Sequence, residues 1–179
     1  EDDIELRRIS ITNRSRGQRT IELTSYAEVV LAPAAADAAH PAFSNLFVQS
    51  ELVRQRQAIL CTRRPRSAGE NMPWMVHLMT ADGESAAEAS YETSRAAFLG
   101  RGRGLADPVA MHRTTLGDSA GAVLDPIVAI RNTMVIGPDE TIQVHLVTGA
   151  AETKEAALAL IERYHDRHLA DRVCELADT

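Results

Sequence analysis

The sequence predicts a mainly β protein: an antiparallel β-sandwich followed by a C-terminal helix. Three observations predict it. Over the first 150 residues, short alternating stretches rich in β-branched residues are separated by turn clusters. Their spacing suits antiparallel pairing better than alternating strand–helix units. From Thr153 onward the apolar period changes from two to between three and four.

The elements follow in order. Ile4–Thr12 alternates, Asn13–Gly17 is a turn cluster, and Arg19–Val30 resumes the alternation with Ile21, Leu23 and Ser25 on one face. The pair is expected to form a hairpin. Further strands are expected at Leu46–Leu52, Ala58–Arg63, Trp74–Thr80, Ala86–Glu92, Ile127–Val135 and Thr141–Val147, the last two flanking a tight turn at Ile136–Glu140. In the terminal segment Leu158, Ile161, His165, Leu169, Val173 and Leu176 recur at helical steps. Thr153 is a suitable N-cap, Glu155 favours the first turn, and the polar His165–His168 stretch marks a bend or split. The apolar stripe must fold back on the sheet or pair with another surface. Pairing, and with it a homodimer, is the expectation.

Composition narrows the function classes. The 179 residues suit one ordinary domain, with 45% hydrophobic and 25% charged residues. A net charge of −6 speaks against a nucleic-acid surface. The longest apolar run, Ala27–Ala39, is interrupted by Glu28, Pro33 and Asp37 and cannot span a bilayer. The acidic start, Glu1-Asp2-Asp3, lacks the basic flank of a signal peptide. Cys61 and Cys174 form no CxxC pair, so a reducing, cytoplasmic setting without disulfides is expected.

The segment "AAFLGRGRGLADPVA" (96–110) threads Arg101 and Arg103 between Gly100, Gly102 and Gly104. It is neither GxGxxG nor a P-loop, and Pro108 opposes a helix directly after the glycines. What remains is a doubly cationic loop able to meet carboxylates, phosphate or sugar hydroxyls, or an ordinary solvated turn. Glu162, His165 and His168 share one helical face but lack further ligands, so no metal site is expected, and no cofactor. His77 and His145 lie in expected strands, as an acid/base pair or as satisfied sheet histidines. Glu22, Glu28 and Asp125 sit on different elements, and nothing pairs two of them for glycoside chemistry. No complete catalytic set is visible. Seven aromatic side chains are too few to spare a sugar-stacking platform beside the core.

The order of segments carries a resemblance. "RRISITNRSRGQRTIELTSYAEVVLAPAAADAAHPAFSNLFVQSE" (7–51), "CTRRPR" (61–66), "YETSRAAFLGRGR" (91–103) and "GAVLDPIVAIRNTMVIGPDET" (121–141) cover most of the chain. They resemble the sandwich domain of the cyclic β-1,2-glucan synthases, among the inverting glycoside phosphorylases that include cellobiose and chitobiose phosphorylases. The resemblance implies a supersandwich of the galactose mutarotase-like type over residues 1–150, lacking earlier strands at its start. It implies a helical linker over 151–179 leading to an (α/α)6 catalytic barrel. The family's catalytic aspartate lies in that barrel, so the implied role is ancillary and non-catalytic. Arg101 and Arg103 then border a sugar, phosphate or barrel carboxylates near the junction, in a parent enzyme tethered to the inner membrane by other segments. The alternative is a free-standing mutarotase-like enzyme using His77 and His145 as acid and base.

Overall fold

The computed structural model describes residues 2–65, 67 and 69–177, with the backbone alone at 167, 175 and 177. In chain order the elements are β1 (Asp3–Thr12), β2 (Arg19–Thr24), β3 (Ala27–Glu28), α1 (Ala34–Ala39), α2 (Pro41–Asn45), β4 (Val48–Val53), β5 (Ala58–Arg63), β6 (Trp74–Ala81), β7 (Glu84–Ser85), β8 (Ser90–Ser94), α3 (Arg95–Leu99), β9 (Gly121–Ala122), β10 (Pro126–Ile136), β11 (Thr141–Ala151), α4 (Lys154–His165) and α5 (Arg167–Ala177).

The strands form two antiparallel sheets. One runs β1-β11-β6-β5-β4-β9; in the other β10 is central, with β2 and β3 on one edge and β7 and β8 on the opposite one. Side-chain alternation divides the first sheet cleanly. Ile59, Cys61, Met79, Ile142 and Val144 meet Val128, Ile130 and Met134 of the second sheet in the inner core. Leu60, Val76, Leu78 and Val147 point the other way, against Ala157, Leu160, Ile161 and Tyr164 of α4. A third apolar cluster lies on the outer face of the second sheet, where Phe98, Leu99, Ala110 and Leu116 cover Ile127 and Ala129.

The mainly β sandwich expected from sequence is therefore present, but its connections differ. The expected hairpin at the start does not form. β1 pairs with β11 and β2 with β10, so the Asn13–Gly17 turn carries the chain from one sheet to the other. The Gly137–Glu140 turn does the same between β10 and β11. Asn13 fastens the two arches together. Its side-chain amide donates to the carbonyls of Gly17, Ile136 and Gly137 at 2.8–3.0 Å, and its backbone exchanges hydrogen bonds with Glu140 and Asp139. Asp139 takes the left-handed conformation (φ 55°) that closes the second arch. The strand expected at 86–92 lies at Ser90–Ser94 instead, after the two-residue β7. The short helices α1, α2 and α3 carry no sequence period long enough to declare them.

The terminal helix begins as expected: Thr153 Oγ1 accepts from the Ala156 amide at 3.1 Å. It breaks at Asp166, an extended residue between α4 and α5. Of the two arrangements open to its stripe, α4 shows the fold-back onto the sheet. Ile161 is buried on the sheet, whereas Leu158 and Leu176, counted in the same stripe, are exposed. The burying face is 157, 160, 161 and 164, because small Ala157 and the Tyr164 ring complete it. Tyr164 also donates from its hydroxyl to Asp2 at 3.0 Å, with Arg163 on the same carboxylate at 2.6 Å. The Arg163 and Tyr164 hydrogen bonds hold the Asp2 carboxyl below its ordinary range.

Ile161→Glu puts a charge against the sheet where an aliphatic side chain is worth roughly 1.5–3 kcal/mol. The expected result is a fall in Tm of about 3–12 °C with unchanged oligomeric state, read by calorimetry and light scattering. An unchanged Tm with a shift from dimer to monomer would restore the pairing arrangement.

Candidate functional site

The polar surface with most chemistry centres on Arg95, the first residue of α3. Ser94 caps that helix, its hydroxyl accepting from the Ala97 amide at 3.4 Å. The buried Glu92 accepts from the Thr93 and Ser94 amides at 3.0 and 2.9 Å, which fixes the strand-to-helix corner. A Cβ at Gly117 would lie 2.6 Å from Glu92 Oε2, so a larger residue there would displace that carboxylate. So placed, Arg95 bridges Glu28 (Nε–Oε1 3.0 Å) and Asp125 (Nη1–Oδ2 3.4 Å). Asn45 donates to Asp125 at 3.2 Å, and the Tyr26 hydroxyl donates to Glu28 at 3.1 Å. Glu28, Asn45, Arg95 and Asp125 border a cleft of about 500 Å³ that also includes Asp37, Val30 and Leu124. Burial, the largest cause, raises the pKa of the Tyr26 hydroxyl, and the Tyr26 and Glu28 hydrogen bonds raise that of Arg95. No sequence pattern pairs any two of Glu22, Glu28 and Asp125. The fold brings Glu28 and Asp125 onto one guanidinium.

α3 leads from this cleft into the Gly-Arg loop. Gly100 and Gly102 have positive φ (81° and 72°). At Gly100 a Cβ would lie 2.8 Å from Val109, so both conformation and space require glycine. Arg103 is exposed, but its guanidinium is engaged within the loop. Its Nη1 holds Asp107 at 2.7 Å, and His112 Nε2 lies 2.6 Å from the other oxygen of that carboxylate. The His112 hydrogen bond, ahead of the Arg103 charge, lowers the pKa of Asp107. Arg101 is exposed and makes no ion pair among the described residues. Further along, the loop is fastened to the sheet by Arg131, 2% exposed, which donates to the carbonyls of Ala110 (2.9 Å) and Arg113 and to Thr24 Oγ1 (2.8 Å).

The histidines do not converge. On β6 and β11 the register sets His77 opposite Thr148 and His145 opposite Thr80, so the two rings project from opposite faces of the sheet. His77 faces inward, with Nε2 2.9 Å from Ser25 Oγ and Nδ1 2.9 Å from Thr148 Oγ1. Burial, aided by the Arg7 charge, pushes its pKa down to about 4, so it is neutral at ordinary pH. His145 faces α5, with Nε2 3.1 Å from Asp171 Oδ1 but outside hydrogen-bonding geometry. An acid/base pair from these two residues is ruled out by the strand register. Glu162 is occupied by Arg56 at 2.7 Å, and the break at Asp166 takes His168 out of helical register with His165. Among the described residues no group of three His, Cys, Asp or Glu side chains could hold a metal. Cys61 and Cys174 are both free thiols, and burial pushes Cys61 up to about 12.

Residues 1–167 match the family model of the glycosyl hydrolase 94 supersandwich domain. The chain is a glycosyl hydrolase 94 supersandwich domain. Among curated relatives it is 38% identical over 165 residues to cyclic beta-(1,2)-glucan synthase NdvB of Rhizobium meliloti (strain 1021), spanning 92% of this chain and 6% of that protein. It is 25% identical over 166 residues to solabiose phosphorylase of Paenibacillus borealis, spanning 91% of this chain and 20% of that one. The supersandwich thus corresponds to a small part of each relative. The match extends through α4, consistent with that helix packing on the sheet.

His77 supplies a pH test of the core. Its folded pKa lies below the ordinary 6.5, so the unfolded chain takes up the proton first and stability falls as pH drops from about 6.5 toward 4. This group costs about 3 kcal/mol by pH 4. His77→Gln, which keeps partners for Ser25 and Thr148, should remove that part of the slope in urea melts at several pH values. Parallel wild-type and variant profiles would mean that His77 is charged in the folded chain.

Proposed function

We propose that this supersandwich is an ancillary, non-catalytic domain of a cyclic β-1,2-glucan synthase or related glycoside phosphorylase. The observation that carries the reading is the match of nearly the whole chain to 6% of a glucan synthase, together with the strand register that keeps His77 and His145 apart. Its partner in this reading is the (α/α)6 catalytic barrel of its own parent chain, in the cytoplasm.

The Arg95 cleft and the Gly-Arg loop are the surface offered toward substrate. Glu28 and Asp125 accept hydrogen bonds, and Arg95 and Asn45 donate them, the mixture that neighbouring sugar hydroxyls require. Arg101 is the cation available to a sugar, phosphate or barrel carboxylate. Arg103 serves by shaping the loop through Asp107.

The purified chain with β-1,2-glucan and phosphate should release no glucose 1-phosphate above a protein-free blank; sustained release would overturn the non-catalytic reading. Titration with a β-1,2-linked glucooligosaccharide should move NMR signals of Arg95, Asn45 and Arg101. Arg101→Ala should weaken that binding about 3- to 10-fold, the net value of one hydrogen bond from an exposed side chain. Shifts confined to other surfaces would remove the cleft from the proposal.

A further inference from the structure

A cleft of about 600 Å³ opens between the β4–β5 turn and the segment that runs from β7 to β8. Four planar polar side chains line it, Arg54, Gln55, Gln57 and Glu88, with Ala86 and Ala87 as low walls. It is a separate place from the Arg95 cleft. Ser85, on its rim, pairs with Met134 of β10, whereas Glu28 pairs with Ile127, about 23 Å away along the strand.

Two of the four side chains are held from behind. Arg54 donates to Asp118 Oδ2 at 3.2 Å, and its guanidinium carbon lies 5.3 Å from the centre of the Tyr91 ring. Asp118 is fixed in turn, its Oδ1 accepting from the Tyr91 amide at 2.8 Å. Gln57 Oε1 accepts from the buried Asn132 at 2.9 Å, which leaves the Gln57 Nε2 donor for another acceptor. Gln57 also takes a positive φ (48°) that glycine would adopt at less cost, so the strain keeps an amide in the cleft. Gln55 and Glu88 are exposed and make no side-chain hydrogen bond among the described residues.

The charges decide the ligand class. The lining carries one cation and one anion, and Asp118 already answers the cation. A phosphate would meet Glu88, and an ammonium would meet Arg54. A neutral ligand meets neither penalty. Amide, guanidinium and carboxylate each offer two polar atoms side by side, the arrangement that vicinal hydroxyls satisfy. We propose that this cleft binds one hexose unit of a neutral saccharide, its hydroxyls shared among Arg54, Gln55, Gln57 and Glu88. Only the β-1,2 linkage of the probe below rests on the function proposed above; the ligand class stands on the cleft.

The test titrates the 179-residue chain with sophorose (the β-1,2-linked glucose disaccharide), maltose and inorganic phosphate. NMR follows the side-chain amides of Gln55 and Gln57 and the backbone amides of 86–89. Sophorose should move these signals and phosphate should not. Gln55→Ala and Glu88→Ala, exposed changes that should leave Tm unaltered, should each weaken binding about 3- to 10-fold. Ala87→Trp, which fills the cleft, should abolish the shifts, and Arg101→Ala should leave them unchanged. A maltose response equal to that of sophorose supports recognition of the hexose alone; a sophorose response by itself supports recognition of the linkage as well. Shifts here with Arg95 silent uphold this cleft and remove the other, whereas shifts at Arg95 alone overturn this inference and keep the function proposed above. The proposal also fails if phosphate matches sophorose, if Ala87→Trp keeps the shifts, or if no saccharide acts at tens of millimolar.

Discussion

β5, β6 and β11 carry buried side chains on both faces, so the six-stranded sheet needs a cover on each side. The second sheet supplies one cover and α4 the other. Each buried aliphatic side chain contributes roughly 1.5–3 kcal/mol, and neither cover can be omitted without exposing a row of them. The positions of the other parts follow. The arches at 13–17 and 137–140 exist because β1 and β11 belong to one sheet while β2 and β10 belong to the other. Asn13 can fasten them because both arches lie at the same end of the sandwich.

The second sheet solves its own covering problem differently, and the solution shapes the candidate site. Its outer face is closed by a loop rather than a helix layer, and a loop needs fixed points. Arg131 provides them by holding the carbonyls of Ala110 and Arg113. Phe98 and Leu99 anchor the other end, and Tyr26 packs on Phe98 with ring centroids 5.0 Å apart. Between these anchors the glycines let the chain turn sharply while Asp107 pairs with Arg103 across the loop. The site is thus a by-product of covering a sheet, with its charged residues placed by apolar neighbours.

Sequence reasoning read the elements better than their connections. Strand positions were legible wherever β-branched residues alternate, as in Ile4–Thr12 and Thr141–Val147. The arches were not, because a turn cluster such as Asn13–Gly17 looks the same whether the next strand pairs or crosses to another sheet. The cap at Thr153 and the break near Asp166 were legible from local chemistry; the burying face of α4 was not, because Ala157 and Tyr164 carry little apolar signal. In the site, Arg101 and Arg103 were singled out by their glycines, whereas Arg95, Glu92 and Arg131 were not. Their importance comes from neighbours distant in sequence: Glu28 and Asp125 for Arg95, Ala110 and Arg113 for Arg131. The His77–His145 pairing failed on strand parity, which a sequence shows only once the register is known.

The pairing of β1 with β11 joins Asp3 to Ala150, nearly the full length of the domain. A contact so distant along the chain closes late, because the entropy of the intervening loop must be overcome first. On a ribosome adding 5–20 residues per second, β1 waits roughly 7–30 s for its partner. Throughout that interval its ladder is open to any other extended chain. Glu5, Arg7 and Arg8 then act before the native state exists, since charges along an unpaired strand discourage the wrong neighbour. Charges that pair on the finished surface, Arg7 with Glu5 and Arg8 with Asp171, are guards of an unfinished one.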